Sequence, residues 1–129
     1  MRVKRSIPAE RCRFAAQLFN LASIIAVMIP FPLLMIWVGA SMFVYAANAH
    51  HPDERVAAYT RRAGYRFYGV AGAMVILGQP LISWLGAVKG VFAIWVIIAL
   101  GVVPAAVWEI VKARREVWRD LVIEVAINE

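Results

Sequence analysis

The chain has one cysteine, two histidines and eight acidic residues in 129 positions, and three long stretches with no charged side chain. Each shortage excludes something. With Cys12 alone there is no intrachain disulfide and no CxxC pair, so neither a disulfide scaffold nor a cysteine-based zinc site is available. The windows 14–49, 67–88 and 90–108 contain no Asp, Glu, Lys, Arg or His, whereas ion-coupled transporters and proton-driven rings depend on an ionisable group in mid-membrane. No P-loop, GxSxG, GxGxxG or HExxH pattern occurs, which argues against an enzyme and against a small-molecule substrate.

What is present is apolar. Hydrophobic residues make up 63% of the chain and the mean hydropathy is +0.71, well above the roughly 45–50% apolar content of soluble domains. A spanning helix needs about 20 apolar residues, and each window reaches the lower limit of about 17. The expected fold is therefore an all-α integral membrane protein, a single membrane domain over residues 1–129. The formal charge of +6 and pI near 10.1 fit basic residues flanking membrane spans better than a nucleic-acid-binding face. The basic opening MRVKRS and the Ala47-Asn48-Ala49 triplet resemble a signal peptide, but the apolar stretch between them is far longer than an h-region, so a retained anchor is expected.

The first window carries IPFPLL at Ile29–Leu34. Pro30 and Pro32 each remove a helix donor, and each pushes the preceding residue out of the α region, so a turn is expected there. As one helix this segment would run about 51 Å against a hydrocarbon core of about 30 Å. A single span would split the Lys and Arg residues almost evenly between the two sides of the membrane. A hairpin leaves every one of them but Lys89 on one side, which the positive-inside rule prefers. The expectation is a basic N-terminus (1–13) and a Pro-turned hydrophobic hairpin (14–49), fully crossing or re-entrant. The alternative is three transmembrane helices with a kinked first one.

The remaining chain reads as an amphipathic interfacial helix (50–66), transmembrane helices at 67–87 and 91–111 joined by a tight turn, and a cytosolic amphipathic tail (112–129). Gly69 with Ala73, and Gly101 with Ala105, place small residues at four-residue spacing, a device for close helix packing in lipid. In the tail, Val117, Trp118, Leu121 and Val122 form an apolar stripe on an expected helix, suited to headgroups or to a partner subunit. Both termini are expected in the cytoplasm, in a bacterial inner membrane.

One constellation has ligand chemistry: His50, His51, Asp53 and Glu54. Adjacent histidines rarely point at one ion, and no third ligand stands at metal spacing, so His50 and His51 are weak candidates and no cofactor is expected. The function these features imply is a small non-catalytic accessory or structural subunit of a larger membrane complex of respiratory, photosynthetic or oxidase type. Its partners would be larger membrane subunits and phospholipid. A homo-oligomeric channel or small transporter, with Asn20 and Gln79 lining the path, is the alternative.

Overall fold

The computed structural model describes residues 2–126 and is mainly helical. Helices α1 (Ala9–Met28), α2 (Pro30–Asn48), α3 (Glu54–Leu85) and α4 (Ala87–Arg115) are flanked by two short strands, β1 (Arg2–Ile7) and β2 (Leu121–Ala126). Helices α2, α3 and α4 are each long and apolar enough to cross a membrane. Their outward faces carry large apolar side chains, of which Phe43, Val75, Trp84 and Val88 are at least 80% exposed. The chain thus has the surface of a multi-pass membrane protein, with lipid as the solvent of its helices.

The proline segment reverses the chain. Ile29 leaves the helical region at φ −122°, ψ 73°, and Phe31, at φ −117°, ψ 122°, takes the extended backbone that a following proline favours. The Phe31–Pro32 peptide is cis. Helices α1 and α2 then lie antiparallel. The Trp37 indole donates to Ser23 Oγ across the pair at 2.9 Å, and Phe19 meets both Trp37 and Tyr45 edge to face. The two arms expected within one window are therefore two packed helices, not one kinked rod.

Several of the polar groups at this turn are removed or paired. Of the first four N–H groups of a helix, which have no internal partner, α2 lacks two outright because Pro30 and Pro32 carry no amide hydrogen. At the C-terminal end of α1, the carbonyl of Val27 accepts a hydrogen bond from the Trp95 indole of α4 at 2.8 Å.

Helix α3 merges two elements that the sequence suggests separately, an interfacial helix over 50–66 and a span over 67–87. Nothing between Arg55 and Phe67 breaks a helix: the one glycine, Gly64, lies against the Tyr45 ring, where a Cβ would come within 2.5 Å. Asp53 caps the helix, its carboxylate accepting from the Arg55 amide at 2.9 Å. The helix begins at Glu54, and Pro52 precedes the cap.

The second hairpin turns at Gly86, whose φ of +90° few side-chain-bearing residues tolerate. Just past it, Gly90 lies on the backbone of Ile82: a Cβ there would be 2.6 Å from the Ile82 Cα. Both α3 and α4 run through an internal proline, Pro80 and Pro104.

Two buried clusters follow from this layout. In the lower one Phe19 is surrounded by Trp37, Phe67 and Tyr68, with ring centroids 5.1–6.1 Å apart, and Val27, Met74, Ile98 and Val102 extend it. Such aromatic contacts contribute about 0.5–1.5 kcal/mol each beyond area. The upper cluster joins Cys12, Ala16, Val56, Tyr59 and Ala113 under Trp118 and Leu121. Strands β1 and β2 pair antiparallel, with Ile7 opposite Leu121 and Lys4 opposite Glu124. The up-and-down helix order gathers every Lys and Arg except Lys89 towards the end that holds the sheet.

The tail departs from the expected amphipathic helix. Helix α4 stops at Arg115, Glu116 turns extended at ψ 148°, and the chain folds back towards β2. Three contacts hold the turn: Tyr59 donates to Glu116 Oε1 at 3.0 Å, Arg55 donates to the Val117 carbonyl at 2.9 Å, and the Arg55 guanidinium covers the Trp118 ring at 4.2 Å.

Candidate functional site

Where the apolar windows end, three helices converge on one carboxylate. Glu109 is only 7% exposed. Its Oε1 accepts from Arg66 Nη2 at 2.9 Å and from Arg62 Nε at 3.2 Å, and its Oε2 accepts from Asn20 Nδ2 at 3.0 Å. A further bond from Arg66 Nη1 to Asn20 Oδ1, at 3.3 Å, closes the ring. Residues of α1, α3 and α4 are thus tied at one level by charge-assisted bonds, which are roughly twice as strong as neutral ones.

Helical spacing explains the geometry. Arg62 and Arg66 are one turn apart on α3, so both guanidiniums reach the same point. Arg62 also lies over the Tyr59 ring at 4.8 Å. Two guanidiniums against one carboxylate leave a formal +1, and Arg62, with 48% of its side chain exposed, carries that charge towards water or headgroups. Arg66 is 20% exposed and Glu109 9% on the same measure, so their bond is the enclosed one. The arrangement can lock three helices in register. Every oxygen in the ring has at least one donor, so it serves better as a structural clasp than as a proton carrier.

The sequence-expected residues fall in different places. Gly101 sits at the α3–α4 crossing, where a Cβ would come 2.9 Å from Val70, whereas Gly69 has nothing within 4 Å of that position. Ala73 and Ala105 are half-buried. Asn20 belongs to the clasp, while Gln79 is exposed on α3 among Val75, Ile76 and Leu77. Of the tail residues, Trp118 and Leu121 turn inward against the upper cluster, and Val117 and Val122 are 76% and 61% exposed. His51 Nδ1 accepts from the Asp53 amide at 3.0 Å, and His50 is exposed. Among the described residues no three His, Cys, Asp or Glu side chains gather as metal ligands.

Glu109 is the residue that sequence reasoning misses. It stands one position beyond the charge-free window and reads as the exposed partner of Lys112. The available signal was an i, i+4 arginine pair, Arg62 and Arg66, at the same membrane level as a lone acid on the next helix. No protein-family model, curated protein or solved structure matches this chain.

Proposed function

We propose that this chain is a small, non-catalytic accessory subunit of a larger membrane complex, of respiratory, photosynthetic or oxidase type, held to its partner through the lower part of α3. Gln79 carries the argument. Its amide sits on the outward face of an apolar helix, about two turns from the end of α3 at Leu85, beside Val75 and Ile76, which are 82% and 75% exposed. Hydrocarbon offers such a group no hydrogen bond, and interhelical bonding is the usual remedy. Gly69 and Gly72, both exposed and with open space where a Cβ would be, add a face that a second helix can approach closely.

The same geometry supports a particular seat in the bilayer. Ser41 on α2 hydrogen-bonds Tyr68 on α3 at 2.8 Å, which sets the two helices at one level. From there α3 descends about 25 Å to Leu85, whereas α2 descends only about 13 Å to Pro32. The α3–α4 hairpin crosses, with Trp84 and Lys89 at its far end. The α1–α2 hairpin is re-entrant, and its tip, bare of polar side chains, with two amides removed by prolines and the Val27 carbonyl paired to Trp95, stays in hydrocarbon. The basic end, with both strands, faces the cytoplasm.

Two experiments test this. Purification in mild detergent is expected to yield larger subunits in stoichiometric amount, and Gln79→Leu is expected to lose them while staying folded. A homogeneous oligomer of this chain alone overturns the accessory role and supports a channel. For topology, single cysteines replace His50, Phe31 or Val88 in a Cys12→Ala background. An impermeant thiol reagent should label position 50 from the cytoplasmic side, position 88 from the other side and position 31 from neither. Labelling of position 31 from the non-cytoplasmic side means that the first hairpin crosses fully.

A further inference from the structure

A second polar feature lies one turn above the Glu109 clasp and takes no part in it. Between α1 and α4 is an open cleft of about 410 Å³ lined by Glu10, Arg13, Phe14, Gln17 and Arg114. Arg13 and Arg114 are exposed and, among the described residues, neither forms an ion pair. Gln17 is only 9% exposed, and its amide nitrogen is buried without a hydrogen-bond partner. Buried donors are nearly always satisfied, so one left over in a residue lining a cleft whose two guanidiniums pair with none of the described carboxylates points to an acceptor that the described residues do not supply.

We propose that this cleft binds the phosphodiester of a phospholipid headgroup. Guanidinium forks match phosphate oxygens in geometry, and Gln17 lines the same cleft with an amide whose nitrogen has no partner among the described residues. Charge selects the ligand class: two arginines against Glu10 leave a formal +1, which one phosphodiester neutralises and a doubly charged phosphate monoester overshoots. Depth agrees, because Gln17 is one turn from Asn20 towards the basic end, at the level where apolar windows give way to charge. Phe14, 57% exposed on the rim, gives the first methylenes of an acyl chain an apolar wall. The inference rests on the bilayer seat described above and on no partner subunit.

The test titrates the purified chain in mild detergent with phosphatidylglycerol, with diacylglycerol lacking the phosphate, and with the water-soluble phosphodiester glycerophosphoglycerol, counting bound lipid by native mass spectrometry. Wild type is expected to retain one phosphatidylglycerol and no diacylglycerol. Arg13→Gln with Arg114→Gln should weaken retention at least tenfold, and Gln17→Leu should weaken it severalfold. Lys112→Gln with Arg115→Gln removes the same charge from exposed positions outside the cleft and should change it less than twofold. Equal loss in the two double variants means that a diffuse basic face, not this cleft, holds the lipid, and overturns the proposal. If glycerophosphoglycerol displaces the lipid at comparable concentration, the phosphodiester site stands and its assignment to a lipid falls. Absence of co-purifying subunits from the wild-type preparation, with lipid binding intact, would sink the accessory role alone.

Discussion

Replacing Glu109 with leucine is expected to be among the most destabilising single changes in the helical bundle. The substitution leaves Arg66, 20% exposed, and the buried Asn20 without their shared acceptor, while Arg62, 48% exposed, turns to solvent. Hydrogen bonds to charged groups contribute roughly 1.5–3 kcal/mol each when enclosed, and a half-exposed pair such as Arg62–Glu109 contributes about 0–1 kcal/mol. Counting Arg66 and Asn20 in full and Arg62 at the surface value gives a loss of about 3–7 kcal/mol, whose lower half is the range for breaking a buried ion pair by removing one partner. Glu109→Gln keeps an acceptor and the shape but not the charge, and should cost about half as much. The assay is unfolding in mixed micelles of mild detergent and SDS, followed by the fluorescence of the five tryptophans. A double-mutant cycle with Arg66→Leu should return a coupling of about 1.5–3 kcal/mol. If Glu109→Leu unfolds within 1 kcal/mol of wild type, or the cycle closes without coupling, the clasp does not hold the helices together.

Three more outcomes follow from particular contacts. Gly90→Ala drives a methyl to within 2.6 Å of the Ile82 backbone and should lower stability by roughly 1–3 kcal/mol in the same unfolding assay, as overpacking does. Gly69→Ala meets nothing within 4 Å and should be neutral or slightly stabilising in the isolated chain, since alanine is the better helix former. Burial pushes the Cys12 thiol above its ordinary pKa, so at pH 8 it should react with maleimide far more slowly in the folded protein than after SDS denaturation. Equal rates would mean that the upper cluster is open.

The parts of this fold that were legible in sequence are those set by local chemistry. Two prolines in three positions forced the reversal at Ile29, and Gly86 with the short polar break around Lys89 marked the second turn. The parts that were not legible depend on residues far apart in the chain. Glu109 looks solvated until Arg62 and Arg66 are brought to it from α3. The basic RVKRSI segment becomes a strand only because LVIEVA reaches it from the opposite end of the sequence, and that pairing also ends the helix expected in the tail. Gly69 and Gly101 share one sequence signature yet face different surroundings, because periodicity fixes which residues share a face but not what that face meets. Gln17 and Asn20, one turn apart, divide in the same way, one between the cleft arginines and one in the clasp.

The pairing of β1 with β2 has a consequence for biogenesis. Strand β1 precedes all four helices in the chain and its partner follows them, so β1 stays without that partner until α4 has been made. The sheet can close only after both hairpins exist, and it then acts as a latch across them.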